Sequence, residues 1–432
     1  MSNPVMKQPS LFPEQSETAP NSTTSTFADN LTIPVHRWFR YSAGFSALWV
    51  REVIQREKVK GRERVLDPFA GSGTVLLEGE FSHIDAVGIE AHPFVSRIAG
   101  PNFLWHEKPT KFREYALSLL EKASKLDGAT TGYPKLIHKC YPRESLLRLD
   151  CLRKAWESQA DGSPVSELSW LALASILREC SPAGTAPWQY VLPRKKKAKV
   201  LDPYRAFHAK IYLMSGDMSW RQSRSVDRRA VLYQEDARAF PSVPDSSVDL
   251  VITSPPYANN YDYADATRLE MSFFGEVQGW GDLQESVRKY LIRSCTQHVS
   301  KLDGKTSEML RNPLMEPIRP EITEKCRLLE AERENHGGRK AYHTMIAAYF
   351  GDMAKMWVEL RRVTAQGGLV CFVIGDSAPY GIHVPVDRWL GELAVAAGFH
   401  SFKFEKTRSR NVKWKNRKHR VPLHEGNLWI KG

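Results

Sequence analysis

The chain has 432 residues, 42% hydrophobic and 25% charged, with a formal net charge of +12. Its length predicts two domains or one large domain with insertions, and its ordinary composition excludes a fibrous or wholly disordered chain. No apolar run approaches the roughly 18 residues of a membrane helix, so no membrane partner is expected, while the positive balance favours a polyanion.

In chain order, residues 1–33 are rich in Ser, Thr, Pro, Asn and Gln and predict a disordered tail without the layout of a signal peptide. The first ordered signal is His36-Arg37-Trp38-Phe39-Arg40-Tyr41, followed by an amphipathic stretch, 45–54, predicted helical. Arg64-Val65-Leu66-Asp67 reads as a short buried strand running into a Pro/Gly turn that opens a helix near Val75. A second strand, 84–89, ends at Glu90, completing a β-α-β unit and implying a parallel sheet. Residues 34–106 thus form the first part of an α/β domain.

The pattern of 107–229 is helical with few strand signals, so it reads as a helical insertion carrying Arg194-Lys195-Lys196-Lys197 and the flanking Trp188 and Trp220. The α/β alternation resumes over 230–432, with strands at 230–234 and 248–252, the latter leading into Thr253-Ser254-Pro255-Pro256-Tyr257. A polar insertion fills 276–340, then come a long helix, 341–362, and strands at 369–374, 399–404 and 427–430. The six cysteines include no Cys-x-x-Cys pair, and His298, His336 and His343 lie apart. A reduced, cytoplasmic interior without a metal site is therefore expected.

A glycine turn between strand and helix lets backbone amides approach a ligand, and an acid ending the next strand can accept from ribose hydroxyls. Here only Gly71-x-Gly73 is present, with Leu76 where a dinucleotide fingerprint has its third glycine, and no Gly-Lys-Ser/Thr follows. The run Asp67-Pro68-Phe69-Ala70-Gly71-Ser72-Gly73-Thr74 resembles motif I of the amino-group DNA methyltransferases. The resemblance implies a Rossmann-like, mostly parallel seven-stranded sheet with helices on both faces, and S-adenosylmethionine as cofactor. It sets Asp67, Phe69, Ala70, Gly71, Gly73 and Thr74 around the cofactor, with the glycines beside its methionine part. Glu90 then holds the ribose, Asp236 the adenine amino group, and Phe45 and Ser46 the methionine end.

Methylating an exocyclic amine is hard because the nitrogen lone pair is delocalised into the ring, so acceptors must draw it toward tetrahedral geometry. In Ser254-Pro255-Pro256-Tyr257 the prolines restrict the backbone, the Ser254 hydroxyl and Pro255 carbonyl can accept from the amine, and Tyr257 offers a face for an extruded base. The segment resembles motif IV of the same family, in which Ser at the first place leans toward N4 of cytosine and Asp or Asn toward N6 of adenine. Alternative readings are an N6-adenine enzyme, an RNA base methyltransferase, or a silent nucleic-acid-binding subunit, the last opposed by intact Asp67, Glu90, Asp236 and Ser254. Carbon-5 methylation would need a Cys nucleophile, and no Pro-Cys motif appears.

Double-stranded DNA is the expected partner, with a restriction nuclease as an allied one. The basic segment 403–420, with Arg408, Arg410, Lys413, Lys415, Arg417 and Lys418 around Trp414, is the predicted phosphate contact. Insertions 107–229 and 276–340 both stand as candidates for reading the target sequence.

Overall fold

Strands that are apolar on both sides build a sheet covered on both faces, and the short buried runs of this chain do so. The computed structural model describes residues 27–41, 43–186, 190–224, 228–302, 304–410 and 421–432. It begins with helix α1 (Ala47–Lys58), strand β1 (Arg64–Asp67), α2 (Thr74–Phe81), β2 (Asp85–Ile89) and α3 (Pro93–Asn102). Helices α4 (Pro109–Ser124), α5 (Lys135–Cys140), α6 (Arg143–Glu157), α7 (Pro164–Ile176) and α8 (Pro203–Gln222) follow. A hairpin of β3 (Ala183–Thr185) and β4 (Val191–Lys196) separates the last two.

The main sheet resumes with β5 (Ala230–Tyr233) and β6 (Val248–Thr253). Short helices α9 (Tyr263–Ala266), α10 (Arg268–Phe273), α11 (Leu283–Ser286) and α12 (Thr306–Leu310) lead to α13 (Arg319–Asn335) and α14 (Tyr342–Val363). Strand β7 (Thr364–Gly375), helix α15 (Val386–Ala396) and strands β8 (Ser401–Arg410) and β9 (Leu423–Lys431) complete the chain.

Seven strands form one sheet in the order β5-β2-β1-β6-β7-β9-β8, parallel from β5 to β7, with β9 antiparallel to both of its neighbours. Successive residues alternate between faces: Leu66, Val251 and Val370 join the core of α14 and α15, while Val65, Leu250 and Ile252 join that of α1 and α2. The fold is therefore α/β, with a mostly parallel sheet between helical layers. After β1 the chain grows outward through β2 and β5, then returns to lay β6 against the other side of β1. That reversal leaves a crevice at the carboxyl ends of β1 and β6, where open α/β sheets bind ligands.

The structure departs from the sequence expectations in three places. Phe27–Leu31, assigned by composition to the tail, form a 3₁₀ turn. Asn30 is buried there, donating to the Phe45 carbonyl at 2.9 Å and accepting from the Ala47 amide at 2.9 Å, so it pins the start of α1. Within the insertion 107–229, Arg194–Lys196 lie on β4 with exposed side chains, and pairing of Val191, Leu192 and Lys196 with β3, across an irregularity in the register, holds the segment extended despite a helix-favouring composition. Trp188 lies outside the described residues. Finally, the last basic segment is not a loop from residue 403, because β8 continues to Arg410. Ladder bonds to β9 carry it past the end of the apolar pattern, and Gly426 permits the approach, since a Cβ there would lie 2.2 Å from the Glu405 carbonyl oxygen.

The insertion 276–340 is polar outside but apolar beneath: Met315, Ile318, Ile322 and Leu329 pack against α14. All six cysteines are buried and unpaired. No helix among the described residues is long and apolar enough to cross a membrane.

Candidate active site

Strand β1 ends at Asp67, whose Oδ1 accepts from the Phe69 amide at 3.0 Å and the Thr253 hydroxyl at 2.5 Å, tying the ends of β1 and β6 together. Its Oδ2 is buried without a hydrogen-bond partner. Gly71 and Gly73 both adopt positive φ, +54° and +89°. Added Cβ atoms would lie 2.9 Å from the Tyr41 ring and 2.6 Å from the Phe103 ring, so both positions require glycine for conformation and for space. At the end of β2, Glu90 accepts from the Gly71 amide and the His92 amide, each at 2.8 Å, and thereby joins the glycine turn to the next strand.

Burial pushes the Asp67 carboxyl up to about 7. Burial, with the Asp67 charge adding to it, does the same for Glu90. Burial lowers His92 to about 3, so this ring is neutral and supplies no compensating charge.

The crevice holds a pocket with about 750 Å³ of open space, mouth included. Phe69, Ala70, Gly71, Thr74, Glu90, Asp236 and Phe45, all expected at the cofactor, line it. Gly73 and Asp67 stand outside the lining. Ser46 does too: it is fully buried, and its Oγ caps α1 by accepting from the Trp49 amide at 3.3 Å, so it has no side-chain role in the pocket. Asp236 is gripped by Arg238, with contacts of 2.8, 3.1 and 2.5 Å. Arg238 also meets the buried Asp352 of α14 at 3.2 Å, and the same carboxylate binds Arg293.

Tyr41, His92, Tyr263, Tyr290 and Ile292 also line the pocket, and sequence reasoning missed them as site residues. The aromatic run before α1 was a signal for Tyr41, and His92 stands two residues after Glu90; Tyr263, Tyr290 and Ile292 come from the segment after β6 that only folding brings here.

Ser254 and Pro256 form the pocket's far wall. The Ser254 hydroxyl donates to the Val373 carbonyl on β7 at 3.2 Å, leaving its oxygen lone pairs free to accept. The Tyr257 amide approaches the Tyr263 hydroxyl at 3.4 Å, and burial raises the Tyr257 hydroxyl above its ordinary value. Further on, Asn260 takes a positive φ of 66° and its Oδ1 accepts from the Thr296 amide and hydroxyl, at 2.8 and 2.7 Å, bracing the loop.

On the other side of this loop, Ala258 and Asn259 line a second, wider cleft with about 1580 Å³ of open space. Arg339, Lys340 and Arg410 supply its cations, Glu332 and Asp376 its carboxylates, and Tyr342 and Tyr380 its aromatic rings. The 254–259 loop is thus the partition between a pocket and a cleft. Of the expected phosphate contacts, Arg408 is half exposed on β8 and pairs with Glu425 at 2.6 Å, whereas Arg410 turns into the cleft. Lys413, Lys415, Arg417 and Lys418 lie outside the described residues.

The fold also gathers Asp376, Asp387 and His424 beside the cleft, with ligand-type atoms within 4.8 Å of one another. His424 spends both ring nitrogens on the carboxylates, Nδ1 to Asp376 at 2.9 Å and Nε2 to Asp387 at 3.4 Å, and His383 adds a bond to Asp376 at 3.0 Å.

No family model matches the chain. Among curated proteins it is similar to the Type II methyltransferase M.AvaI of Nostoc sp. and of Anabaena variabilis, 28% identical over 410 residues, covering 87% of this chain and 81% of the relative. It is also similar to the Type II methyltransferase M.BsoBI of Geobacillus stearothermophilus, 26% identical over 443 residues, covering 92% and 84%.

Proposed function

We propose that this chain transfers a methyl group from S-adenosylmethionine to the exocyclic amino group of a base in double-stranded DNA, N4 of cytosine. The observation that carries the reading is the 254–259 loop, which separates a pocket lined by Glu90 and Asp236 without Lys or Arg from a cleft lined by Arg339, Lys340 and Arg410 together with Glu332 and Asp376. The likeness to Type II methyltransferases over most of the chain supports it.

The pocket's residues fit the cofactor. Glu90 lines the pocket and Asp67 stands just outside its lining; both are buried carboxyls with no ion pair among the described residues, and Asp67 Oδ2 lacks any hydrogen-bond partner. A buried carboxylate left unpaired is costly, so the pocket suits a ligand that brings positive charge. Glu90 and the Gly71 turn would hold ribose and methionine parts, Phe45 the methionine end, Asp236 the adenine amino group, and Phe69 and Ile292 the adenine faces. When bound, S-adenosylmethionine supplies a methyl group on positively charged sulfur, open to direct displacement.

The chain's own work is to present the amine. Ser254 Oγ accepts from it at the pocket wall, countering delocalisation of the nitrogen lone pair into the ring. Tyr257 holds the extruded base on the cleft side, and Asn260 with Thr296 keeps the loop from collapsing into the space. Thiolate catalysis has no support here, since burial pushes Cys180, Cys295 and Cys326 up to about 12.

The test is to incubate the protein with isotopically labelled S-adenosylmethionine and, separately, DNA and RNA, then digest and identify the labelled nucleoside by mass spectrometry. N4-methylcytosine from DNA is expected. N6-methyladenine would move the target base, label in RNA alone would move the substrate, and no label would overturn the proposal.

A further inference from the structure

One cation of the cleft does not behave as a phosphate contact should. Arg410 ends the strand β8, yet its guanidinium turns inward, with Nη2 donating to the Asp376 carbonyl and Cζ 5.7 Å from the centroid of the Tyr257 ring. A Cβ on Gly375 would lie 2.8 Å from Nη2 and 3.0 Å from Cζ, so a larger residue at 375 would push the guanidinium from this position. Its side chain is 23% exposed, against 45% for Arg408, two residues before it on the same strand. Its Nε is buried and has no hydrogen-bond partner; the nearest carboxylate oxygen, of Glu425, is 4.0 Å away. The other oxygen of Glu425 already binds Arg408. Asp376 is itself fixed by His383 and His424, which keeps the carbonyl that holds Arg410 in position. A buried donor left unpaired beside the proposed base-holding loop calls for an acceptor that arrives with the substrate.

We infer that Arg410 contacts the pairing edge of the extruded base and selects cytosine over adenine. This rests on the methyl transfer proposed above. On cytosine the amine to be methylated sits beside two adjacent acceptors, N3 and O2. On adenine it sits beside one acceptor, N1, followed by a C–H. A guanidinium offers only donors, set in a planar fork, so it matches the two acceptors of cytosine and faces a C–H on adenine. Phosphate contact would instead demand the exposure that Arg408 has and Arg410 lacks.

The experiment pairs a change in the protein with a change in the base. The enzyme's own site is first mapped by sequencing DNA that it has methylated. Full-length wild type, Arg410→Met and Arg410→Lys then act on duplexes carrying that site with the target cytosine intact or replaced by 3-deazacytosine. The analogue keeps N4 and O2 but lacks the N3 acceptor. Single-turnover rates at saturating DNA give, for each protein, the ratio of intact to 3-deaza substrate.

Wild type is expected to show a ratio roughly 10- to 150-fold larger than Arg410→Met, the range of one hydrogen bond from a charged donor, since the analogue keeps O2. Arg410→Lys, which lacks the fork, should fall with Met. Equal ratios in all three proteins would overturn the inference, leaving Arg410 a brace for the loop. Cofactor titration checks that the variants are folded. If neither variant binds cofactor, wild type alone decides, because a rate indifferent to loss of N3 also overturns it. Absence of N4-methylcytosine from natural DNA, read before any variant is made, would mark failure of the functional proposal instead.

Discussion

On the pocket side of the 254–259 loop, the carboxyls of Asp67 and Glu90 are buried and no Lys or Arg side chain lines the space; on the cleft side, Arg339, Lys340 and Arg410 rim it. Glu332 and Asp376 line the cleft too, so a single loop separates a pocket without side-chain cations from a cleft in which Lys and Arg outnumber carboxylates three to two. In a low-dielectric crevice such a difference sorts ligands by sign, drawing a cationic cofactor to one wall and a polyanion to the other. The two sides also differ in construction. The acidic corner of the pocket is made by near neighbours in sequence, Gly71 bonding Glu90 and Phe69 bonding Asp67, while Asp236, Tyr263 and Ile292 join it from far along the chain. The cleft is made by the ends of β7, β8 and α13, which only the finished sheet brings together.

The largest expected effect breaks the base side alone. Ser254→Ala should lower the single-turnover methylation rate about 10²- to 10³-fold, as loss of one preorganised hydrogen-bonding group does, without changing cofactor affinity. Quench-flow methylation with a parallel cofactor titration checks both halves. Because the effect is on the chemical step, it should persist when the target base is mismatched.

Next comes Glu90→Gln, which breaks the pocket side. It should weaken cofactor binding roughly 10- to 100-fold, the scale of a hydrogen bond to a charged group. The pH dependence follows from the raised carboxyl. Between its ordinary value and about 7, folded Glu90 holds a proton that the unfolded chain has released, so stability falls as pH rises through that window and stays lower above it. Cofactor affinity runs the other way, strengthening as pH rises through about 7, because the ionised carboxylate meets a positive ligand. Glu90→Gln should thus remove this pH dependence of stability and flatten that of binding, while lowering the melting temperature at pH 4, because its amide has one acceptor oxygen for the Gly71 and His92 amides. Melting curves and titrations across that range would show it.

Tyr257→Ala sharpens the comparison from within the loop. Its deficit on paired DNA should be the roughly 1–3 kcal/mol of one base stack, and should shrink on mismatched targets, which cost less to extrude. A wild-type rate on perfect duplex would remove Tyr257 from the base-holding role. The smallest effect belongs to the outer face of β8: Arg408→Ala should flatten the log-log salt slope of DNA binding by about 0.9, one phosphate contact, with methylation at saturating DNA unchanged.

The pocket side was largely legible in the sequence because its rules are local. A buried run ending in Asp67, a glycine turn and a second strand ending at Glu90 specify each other within a short stretch, and β1 falls at the residues the pattern predicts. The Ser254-Pro255-Pro256-Tyr257 loop was equally plain at the end of β6. The cleft side was not. Nothing local marks Arg410 as an inward-facing residue, since its position depends on β8 pairing with β9 and on the space left by Gly375. The brace from Asp352 through Arg238 to Asp236 likewise joins α14 to the loop after β5, a long-range contact without periodicity. Ser46 misled for the opposite reason: it lies beside Phe45, which does line the pocket, but its hydroxyl is taken by a helix cap.

The most direct test of the partition is calorimetric titration of S-adenosylmethionine into wild type, Glu90→Gln and Ser254→Ala, paired with single-turnover methylation by the same proteins at saturating cofactor. The partition predicts that Glu90→Gln loses cofactor affinity and recovers much of its rate at saturation, while Ser254→Ala binds cofactor as wild type does and remains slow. If the two variants lose cofactor affinity to the same extent, Ser254 belongs to the pocket rather than to the amine, and the division of labour across the loop is wrong.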